Sequence, residues 1–283
     1  MTITEQTPPT GVTNPPYGEL IAILRGDLIT PADPVYDEAR AVYNAMIDKR
    51  PAAIVRCRDV ADVIACVRFG RANDLEIAVR GGGHSAGGLG VWDGALVIDL
   101  SLLRSTTVNP HHHTVRVDAG CTWGDVDHAS VAFGMATPSG FLASTGVGGL
   151  TLGGGIGYLS RRFGLTVDNL LAADVVLADG TFVTANENSH RDLFWALRGG
   201  GGNFGIITSL EFRLEPAGTI LGGGVFYPAT DLADAARIVH TAATYAADAP
   251  DELTVMVMIM HAPALPFIPA EQVGELVVLV ALC

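Results

Sequence analysis

Hydrophobic and polar positions along the first part of this chain change between helical and strand-like spacing. Residues 35–48 place apolar side chains at helical spacing, and residues 52–56 (AAIVR) form a short apolar run typical of a buried strand. Asp59 is a plausible N-cap for a helix that extends to about Asn73, and residues 76–80 (EIAVR) predict a second strand. A strand–helix–strand unit of this kind pairs its strands in parallel.

The alternation continues as far as Pro216 and predicts one continuous α+β domain. Residues 122–134 predict a helix that ends at Gly134, and residues 172–185 predict a hairpin with Asp-Gly at its turn. The other predicted elements are strands at 95–101 and 113–120, and a short helix followed by a strand within 191–216.

After Pro216 the pattern changes. Strands are predicted at 222–228 and 252–260, an Ala-rich helix at 231–250, and a very apolar strand at 274–283. Such an apolar strand needs neighbours on both faces, so the chain is expected to stop within a second domain. The expected organisation is a flexible, Pro/Thr-rich segment at 1–34, a main domain at 35–216, and an incomplete α/β domain at 217–283.

Composition limits the partners of this 283-residue chain. Its formal charge of −13 argues against nucleic acid and anionic membranes. Neither a signal-peptide pattern nor an apolar stretch of membrane-spanning length occurs. The four cysteines contain no CxxC pair, so no metal site is expected. Cys57 and Cys66 are predicted to be buried thiols. Cys121 is predicted to be structural, although the N-terminus of the following helix could lower its pKa. The protein is predicted to be cytoplasmic.

Three glycine-rich segments, 81–90, 146–157 and 199–205, carry the candidate chemistry. Backbone amides without bulky side chains can form anion-binding nests, so three such segments in one domain indicate a large ligand with a diphosphate. No GxxxxGK[ST] motif is present. A Rossmann-type NAD site is an alternative, but GGGHSAGG does not form a clean GxGxxG that opens a helix.

Four motifs together resemble one family. They are RGGGHSAGG (80–88), TGVGGLTLGGGIGYLSRRFGLTVDN (145–169), ADVVLADG (173–180) and LFWALRGGGGNFGIIT (193–208). They are similar to the FAD-linked oxidases with a vanillyl-alcohol-oxidase/p-cresol-methylhydroxylase (PCMH)-type FAD-binding domain, and most similar to the berberine-bridge-enzyme-like (BBE-like) oxidoreductases. The resemblance covers roughly residues 35–216.

This resemblance implies an FAD-binding domain of two α+β subdomains, followed by a substrate domain. It implies that His84 is joined to the 8α-methyl group of FAD. Leu142 stands where some members carry a second, cysteine tether, so one covalent link is expected. The residues that the resemblance assigns to FAD binding are Arg80, Gly81, Gly82, Gly83, His84, Ser85, Gly140, Ser144, Thr145, Gly146, Gly148, Gly149, Gly153, Gly154, Gly155, Gly157, Gly205, Ile206 and Ile207.

The implied function is that of an FAD-dependent oxidoreductase that uses O2 and takes hydride from a C–H next to a hydroxyl or amine of a small organic substrate. The catalytic base stays unassigned. Two alternatives remain: a non-catalytic FAD-binding fragment that lacks a C-terminal catalytic segment, and an NAD-dependent Rossmann dehydrogenase.

Several other polar and aromatic residues have simpler explanations. Adjacent histidines at 111–113 cannot all face one ion, so an exposed turn is expected. Trp123 and Trp195 are predicted to be core residues. Arg161 and Arg162 could contact phosphate or solvent.

Overall fold

A computed structural model describes residues 15–283, so residues 1–14 of the predicted flexible segment lie outside the described part. Four strands and three helices make up the first subdomain. They are α1 (Tyr17–Ile21), β1 (Asp27–Ile29), α2 (Tyr36–Arg40), β2 (Ala53–Arg56), α3 (Val60–Ala72), β3 (Ile77–Arg80) and β4 (Leu96–Asp99).

The first sheet has the order β1-β2-β4-β3. Strands β2 and β3 both pair in parallel with β4, and β1 adds an antiparallel edge. Helix α3 connects β2 to β3 and begins at the expected cap, where the Asp62 amide donates to Asp59 Oδ1 at 3.1 Å. The predicted strand–helix–strand unit is therefore confirmed, and the carboxyl ends of three parallel strands lie at one edge of the sheet.

The second subdomain is built on a separate antiparallel sheet with the order β5-β6-β10-β8-β9. Its elements are β5 (Thr106–Asn109), β6 (Thr114–Asp118), α4 (Trp123–Val131), β7 (Met135–Ala136), α5 (Val147–Leu152), α6 (Ser160–Phe163), β8 (Leu170–Val176), β9 (Phe182–Asn186), α7 (Arg191–Leu197), β10 (Ile206–Arg213) and β11 (Glu215–Pro216). The two small sheets differ from the single doubly wound sheet of a Rossmann domain. The expected α+β fold of two subdomains is confirmed.

The main hydrophobic core joins these two subdomains. Side chains of α3, such as Val63 and Cys66, belong to the same buried cluster as Leu210 and Phe212 of the second sheet. Trp123 lies fully buried in this cluster, as predicted. A smaller cluster around Ile54 and Val97 covers the other face of the first sheet. Burial on both faces explains why β2 and β4 are almost entirely apolar.

A third unit follows, in which strands β12 (Gly223–Pro228), β13 (Val255–His261) and β14 (Leu276–Leu282) form an antiparallel sheet with helix α8 (Leu232–Ala247). The apolar β14 is its central strand, which gives it the neighbours that its composition requires. Helix α8 covers one face of the sheet by contacts such as Ala235 against Val278 and Val280. The opposite face carries Phe226, Met256, Met258 and Leu279.

Three predictions about local structure are wrong. The helix expected at 35–48 is limited to α2, because the residues that follow extend along the first glycine-rich segment (81–90), which forms a loop. The segment expected to be flexible at 1–34 contributes α1 and β1, which are anchored by buried Leu20 and Ile29. Trp195, expected in the core, is 80% exposed on α7. No helix between residues 15 and 283 combines the length and apolar character needed to cross a bilayer.

Candidate functional site

The first glycine loop leaves β3 at the carboxyl edge of the parallel strands. Among the described residues, none of the backbone amides from Gly81 to Ser85 donates a hydrogen bond to the protein. Five consecutive half-buried amides without an acceptor are a strong potential anion site, because buried backbone donors are nearly always paired.

A buried ion pair fixes the start of this loop. Arg80 Nη2 lies 2.7 Å from Asp99 Oδ2, and both side chains are more than 90% buried. Arg80 also donates to the Ala41 carbonyl oxygen at 3.4 Å, and Asp99 accepts from the Ser101 amide at 2.9 Å. The Arg80 charge is therefore paired within the protein, at the point where the loop leaves β3. A polar cavity of about 240 Å³ lies beside the pair and is partly lined by Arg56 and Ser101.

His84 lies within this loop, half-buried, and its ring stacks on a residue that the sequence analysis missed. The imidazole and the Tyr43 ring have centroids 4.0 Å apart and planes inclined by 18°. Tyr43 lies within the helix predicted at 35–48, and nothing in the sequence around it indicates a contact with His84. Only the tertiary structure brings it to His84.

The second glycine segment lies directly against the first. A β-carbon on Gly82 would overlap the backbone of Gly146, and a β-carbon on Gly146 would overlap Gly82. Gly81 and Gly148 both face the Ala119 backbone. Ser144 and Thr145 precede α5 and are less buried, and Gly149 lies exposed in its first turn. The structure thus brings residues 80–85 and 144–149 together.

The remaining residues of the second segment fold back on its start. Gly157 packs against the Ser139 carbonyl and Gly140 so closely that no side chain fits. Gly154 and Gly155 accept hydrogen bonds at 3.0 Å from the amides of Val167 and Thr166. Gly153 is the C-cap of α5. It lies beside the third glycine segment, because the Gly201 amide donates to the carbonyl of the neighbouring Leu152 at 3.0 Å.

The third segment borders an apolar cavity between the two subdomains. Gly205 lies against Val175 and Val176, and Ile206 and Ile207 are buried in β10. The cavity has a volume of about 300 Å³ and is lined by Ile77 and Val79 of β3 and by residues 202–206. Ile77 and Val79 are each 38% exposed on β3, so an apolar ligand surface could cover them.

The third unit is attached beside the second glycine segment. Thr254 Oγ1, just before β13, donates to the Tyr158 carbonyl oxygen at 2.6 Å. The Tyr158 ring contacts Phe141 edge-on, with centroids 5.0 Å apart. Arg161 donates to the carbonyl oxygens of Ala246, in the last turn of α8, and of Ala249, just after it, so its guanidinium is engaged within the protein.

The cysteines and the histidines at 111–113 lie outside the glycine-rich loop, and their surroundings indicate structural or surface positions. Burial raises the pKa of the Cys121 thiol, so the helix N-terminus that follows does not lower it, and the full burial of the side chain agrees with the structural role that we predicted. Cys57 and Cys66 are fully buried, as predicted, and the contact between the two thiols, together with burial, raises the pKa of Cys57. The histidines at 111–113 form an exposed turn, as predicted. Within residues 15–283 no cluster of three metal-ligating side chains occurs.

Together these features fit a dinucleotide with a central diphosphate. Free amides are available at Gly81–Ser85, an apolar cavity lies next to the preceding strand, and His84 lies among the residues that carry these amides. Val79 lines the cavity and lies two residues before Gly81, so the cavity and the free amides lie along and just beyond the same strand.

Comparison with known proteins gives an independent result. Residues 51–186 match the family described as the FAD binding domain. The FAD-linked oxidoreductase YgaK of Bacillus subtilis is 39% identical over 198 residues. (R)-6-hydroxynicotine oxidase of Paenarthrobacter nicotinovorans is 36% identical over 191 residues. The matches cover 68% of this chain and 44% and 42% of the two relatives, so the chain spans less than half of their length.

Solved structures share the fold. The crystal structure of 6-hydroxy-D-nicotine oxidase from Arthrobacter nicotinovorans superposes with a TM-score of 0.84 and 29% identity, over 92% of this chain and 55% of that one. BBE-like 1 of Physcomitrella patens gives a TM-score of 0.81 and 30% identity, over 94% and 55%. Xylooligosaccharide oxidase from Myceliophthora thermophila, in complex with xylobiose, gives 0.79 and 28%, over 94% and 55%.

Proposed function

Because this chain belongs, through residues 51–186, to the family of FAD-binding domains found in FAD-linked oxidoreductases, we propose that it is the cofactor-binding part of an FAD-dependent oxidase. The observation that carries the proposal is the row of five unpaired amides at Gly81–Ser85, against which Gly146 packs. Bound FAD would accept hydride from a C–H next to a hydroxyl or amine of a small organic substrate and pass the electrons to O2.

The residues would divide the cofactor between them. The amides of Gly81–Ser85 would hold the diphosphate, whose charge the net neutral Arg80–Asp99 pair does not oppose. The adenosine end would occupy the apolar cavity against Ile77 and Val79, because burial of a flat aromatic base there covers apolar surface. Gly140, Ser144–Gly149 and Gly153–Gly157 would border the flavin end, as the resemblance implies.

His84 would be the covalent tether of the flavin. It is half-buried within the loop whose amides would hold the diphosphate, so the same backbone would bring the cofactor and the imidazole together. Leu142 occupies the place of a second tether, and a leucine side chain cannot form one. A single tether would retain FAD while the substrate side is open.

The substrate would bind between the aromatic pair Phe141 and Tyr158 and the face of the third sheet opposite α8. Thr254 holds the start of β13 beside Tyr158. That face carries Met256 and Met258, whose flexible side chains adapt to ligands of different shape.

Free, buried cysteines such as Cys57 and Cys66 favour a reducing compartment such as the cytoplasm for the protein.

One preparation tests the proposal. The purified chain is expected to show flavin absorbance, to keep the flavin after acid denaturation, and to yield a His84 peptide with the added mass of FAD. His84→Ala is expected to bind FAD without a covalent bond, and His111→Ala, an exposed histidine, is the control. A colourless chain that takes up no FAD would refute the cofactor; flavin that is fully released by acid would refute the tether alone.

A second candidate function is FAD binding without turnover by this chain alone. It is favoured by the family match, which is to an FAD binding domain over residues 51–186. Stopped-flow spectra of the two half-reactions distinguish these functions. In both cases O2 should reoxidise chemically reduced flavin bound to this chain. Reduction by alcohol, amine or sugar substrates is expected only for the oxidase.

A further inference from the structure

The segment between α2 and β2 lies along the loop that contains His84. The Tyr43 amide donates to the Gly83 carbonyl at 3.1 Å, and Asn44 Nδ2 donates to the Ala86 carbonyl at 3.4 Å, on either side of His84. Ile47 packs beneath Gly88, where a β-carbon would lie 2.9 Å from its Cγ2 atom. Three residues of one short segment thus hold three successive points of the loop.

Tyr43 adds the contact with His84 itself. The two rings are nearly parallel, at a centroid distance of 4.0 Å, which is the closest ring pair among the described residues. The tyrosine is nevertheless 65% exposed, so burial of its own ring does not explain its position. An exposed aromatic ring that is anchored through its backbone and stacked on one imidazole restricts the rotation of that imidazole.

We propose that Tyr43 is a positioning residue for flavin attachment: it holds the His84 imidazole in the orientation from which the ring nitrogen reacts. This inference rests on the proposed tether. Attachment breaks one N–H bond of the imidazole and one C–H bond of the flavin methyl group and forms one C–N bond. The two electrons and two protons reduce the isoalloxazine, and O2 takes them up as hydrogen peroxide.

Stacking constrains the side chain before FAD arrives. Without Tyr43, the His84 side chain is free to leave the reactive orientation. The rate of attachment then falls in proportion to the fraction of time that the side chain spends in that orientation. An aromatic pair of ordinary strength corresponds to a slowing of about three- to tenfold. The phenolic hydroxyl takes no part in the stacking, so phenylalanine is expected to replace tyrosine.

The test compares Tyr43→Ala, Tyr43→Phe and Tyr245→Ala. Tyr245 is 64% exposed on α8, so its removal is a control matched for exposure. FAD is added to flavin-free chain, aliquots are denatured, and flavin fluorescence in the protein band gives the rate of attachment. Tyr43→Ala is expected to slow attachment about three- to tenfold, whereas Tyr43→Phe and Tyr245→Ala stay within about twofold of the wild type.

NMR of the flavin-free chain supplies a readout that does not depend on FAD. The ring current of Tyr43 should shift the C–H protons of the His84 imidazole upfield in the wild type and in Tyr43→Phe, and the shift should vanish in Tyr43→Ala. Equal attachment rates in the wild type and Tyr43→Ala would overturn the positioning role while leaving the tether intact. A wild-type chain that binds FAD and never attaches it would overturn the tether, and the positioning role with it.

Discussion

Gly82 and Gly146 meet backbone to backbone, so that neither position has room for a β-carbon. This contact joins the loop after β3 to the start of α5 and thereby fixes the first glycine segment against the second. The proposed diphosphate and flavin sites lie on the two sides of this contact.

Gly82→Ala is expected to separate the two segments, because the new methyl group would overlap the Gly146 backbone, which cannot move aside as a flexible side chain could. We expect a loss of about 1–3 kcal/mol in the free energy of unfolding and little retained FAD. Urea unfolding and flavin absorbance measure the two effects. Gly87→Ala is the control, since nothing lies within 4 Å of its added β-carbon; equal behaviour of both variants would contradict the contact.

Asp99→Asn should destabilise the protein strongly, because it leaves the Arg80 guanidinium buried without a counter-charge. Removal of one partner of a buried pair costs about 3 kcal/mol or more. Asp27→Asn, which affects an exposed pair with Arg58 at 3.7 Å, is expected to change stability by less than about 1 kcal/mol. Equal midpoints of unfolding for the two variants would show that the Arg80–Asp99 pair is not needed.

The acid stability of the protein should depend on Asp93. The Lys49 ammonium at 2.7 Å, and then the Arg50 amide, lower the pKa of this carboxyl below its usual value. Its contribution is therefore present above about pH 4 and is lost as the pH falls further, when the folded form also takes up the proton. The side chain is 56% exposed, so the contribution is at most about 1 kcal/mol.

Asp93→Asn should accordingly lower the free energy of unfolding near pH 7 and leave it unchanged near pH 2. Unfolding curves at both values measure the difference. A difference that grew as the pH fell would have the wrong sign for a lowered pKa.

Val79→Asp should weaken FAD binding, because it places a carboxylate in the apolar cavity proposed for the adenosine end. We expect a loss of about tenfold or more in affinity, measured by titration in the His84→Ala background, where binding is reversible. Val225→Asp is the control, since Val225 is a similarly exposed strand residue in the third unit. Unchanged affinity in Val79→Asp would place the adenosine elsewhere.

Thiol reagents should distinguish the cysteines. Cys57, Cys66 and Cys121 are fully buried, and only Cys283 of the four is partly accessible. The native chain is therefore expected to react quickly at one thiol and the unfolded chain at four, as counted by mass spectrometry after alkylation. Rapid native modification of Cys57 would show that the core opens more readily than the packing indicates.

Local sequence patterns were enough to predict most secondary structure and the glycine segments. Asp59 and the apolar runs around it predict α3 and the parallel strands, because capping and burial on both faces are properties of nearby residues. The family motifs predict the two-subdomain α+β fold, which the structure confirms. The roles assigned to Arg80–Ser85 and the other site residues stay predictions.

Long-range contacts decided the rest. Residues 41–48 have helical spacing but extend along the His84 loop, where the Tyr43 amide donates to the Gly83 carbonyl in place of a helical partner and the Asn44 side chain donates to Ala86. The overlap of Gly82 with Gly146, the Arg80–Asp99 pair and the Tyr43–His84 stack each join residues at least 19 positions apart. Spacing along the chain carries no information about such pairs, because strand pairing and tertiary packing determine which side chains meet.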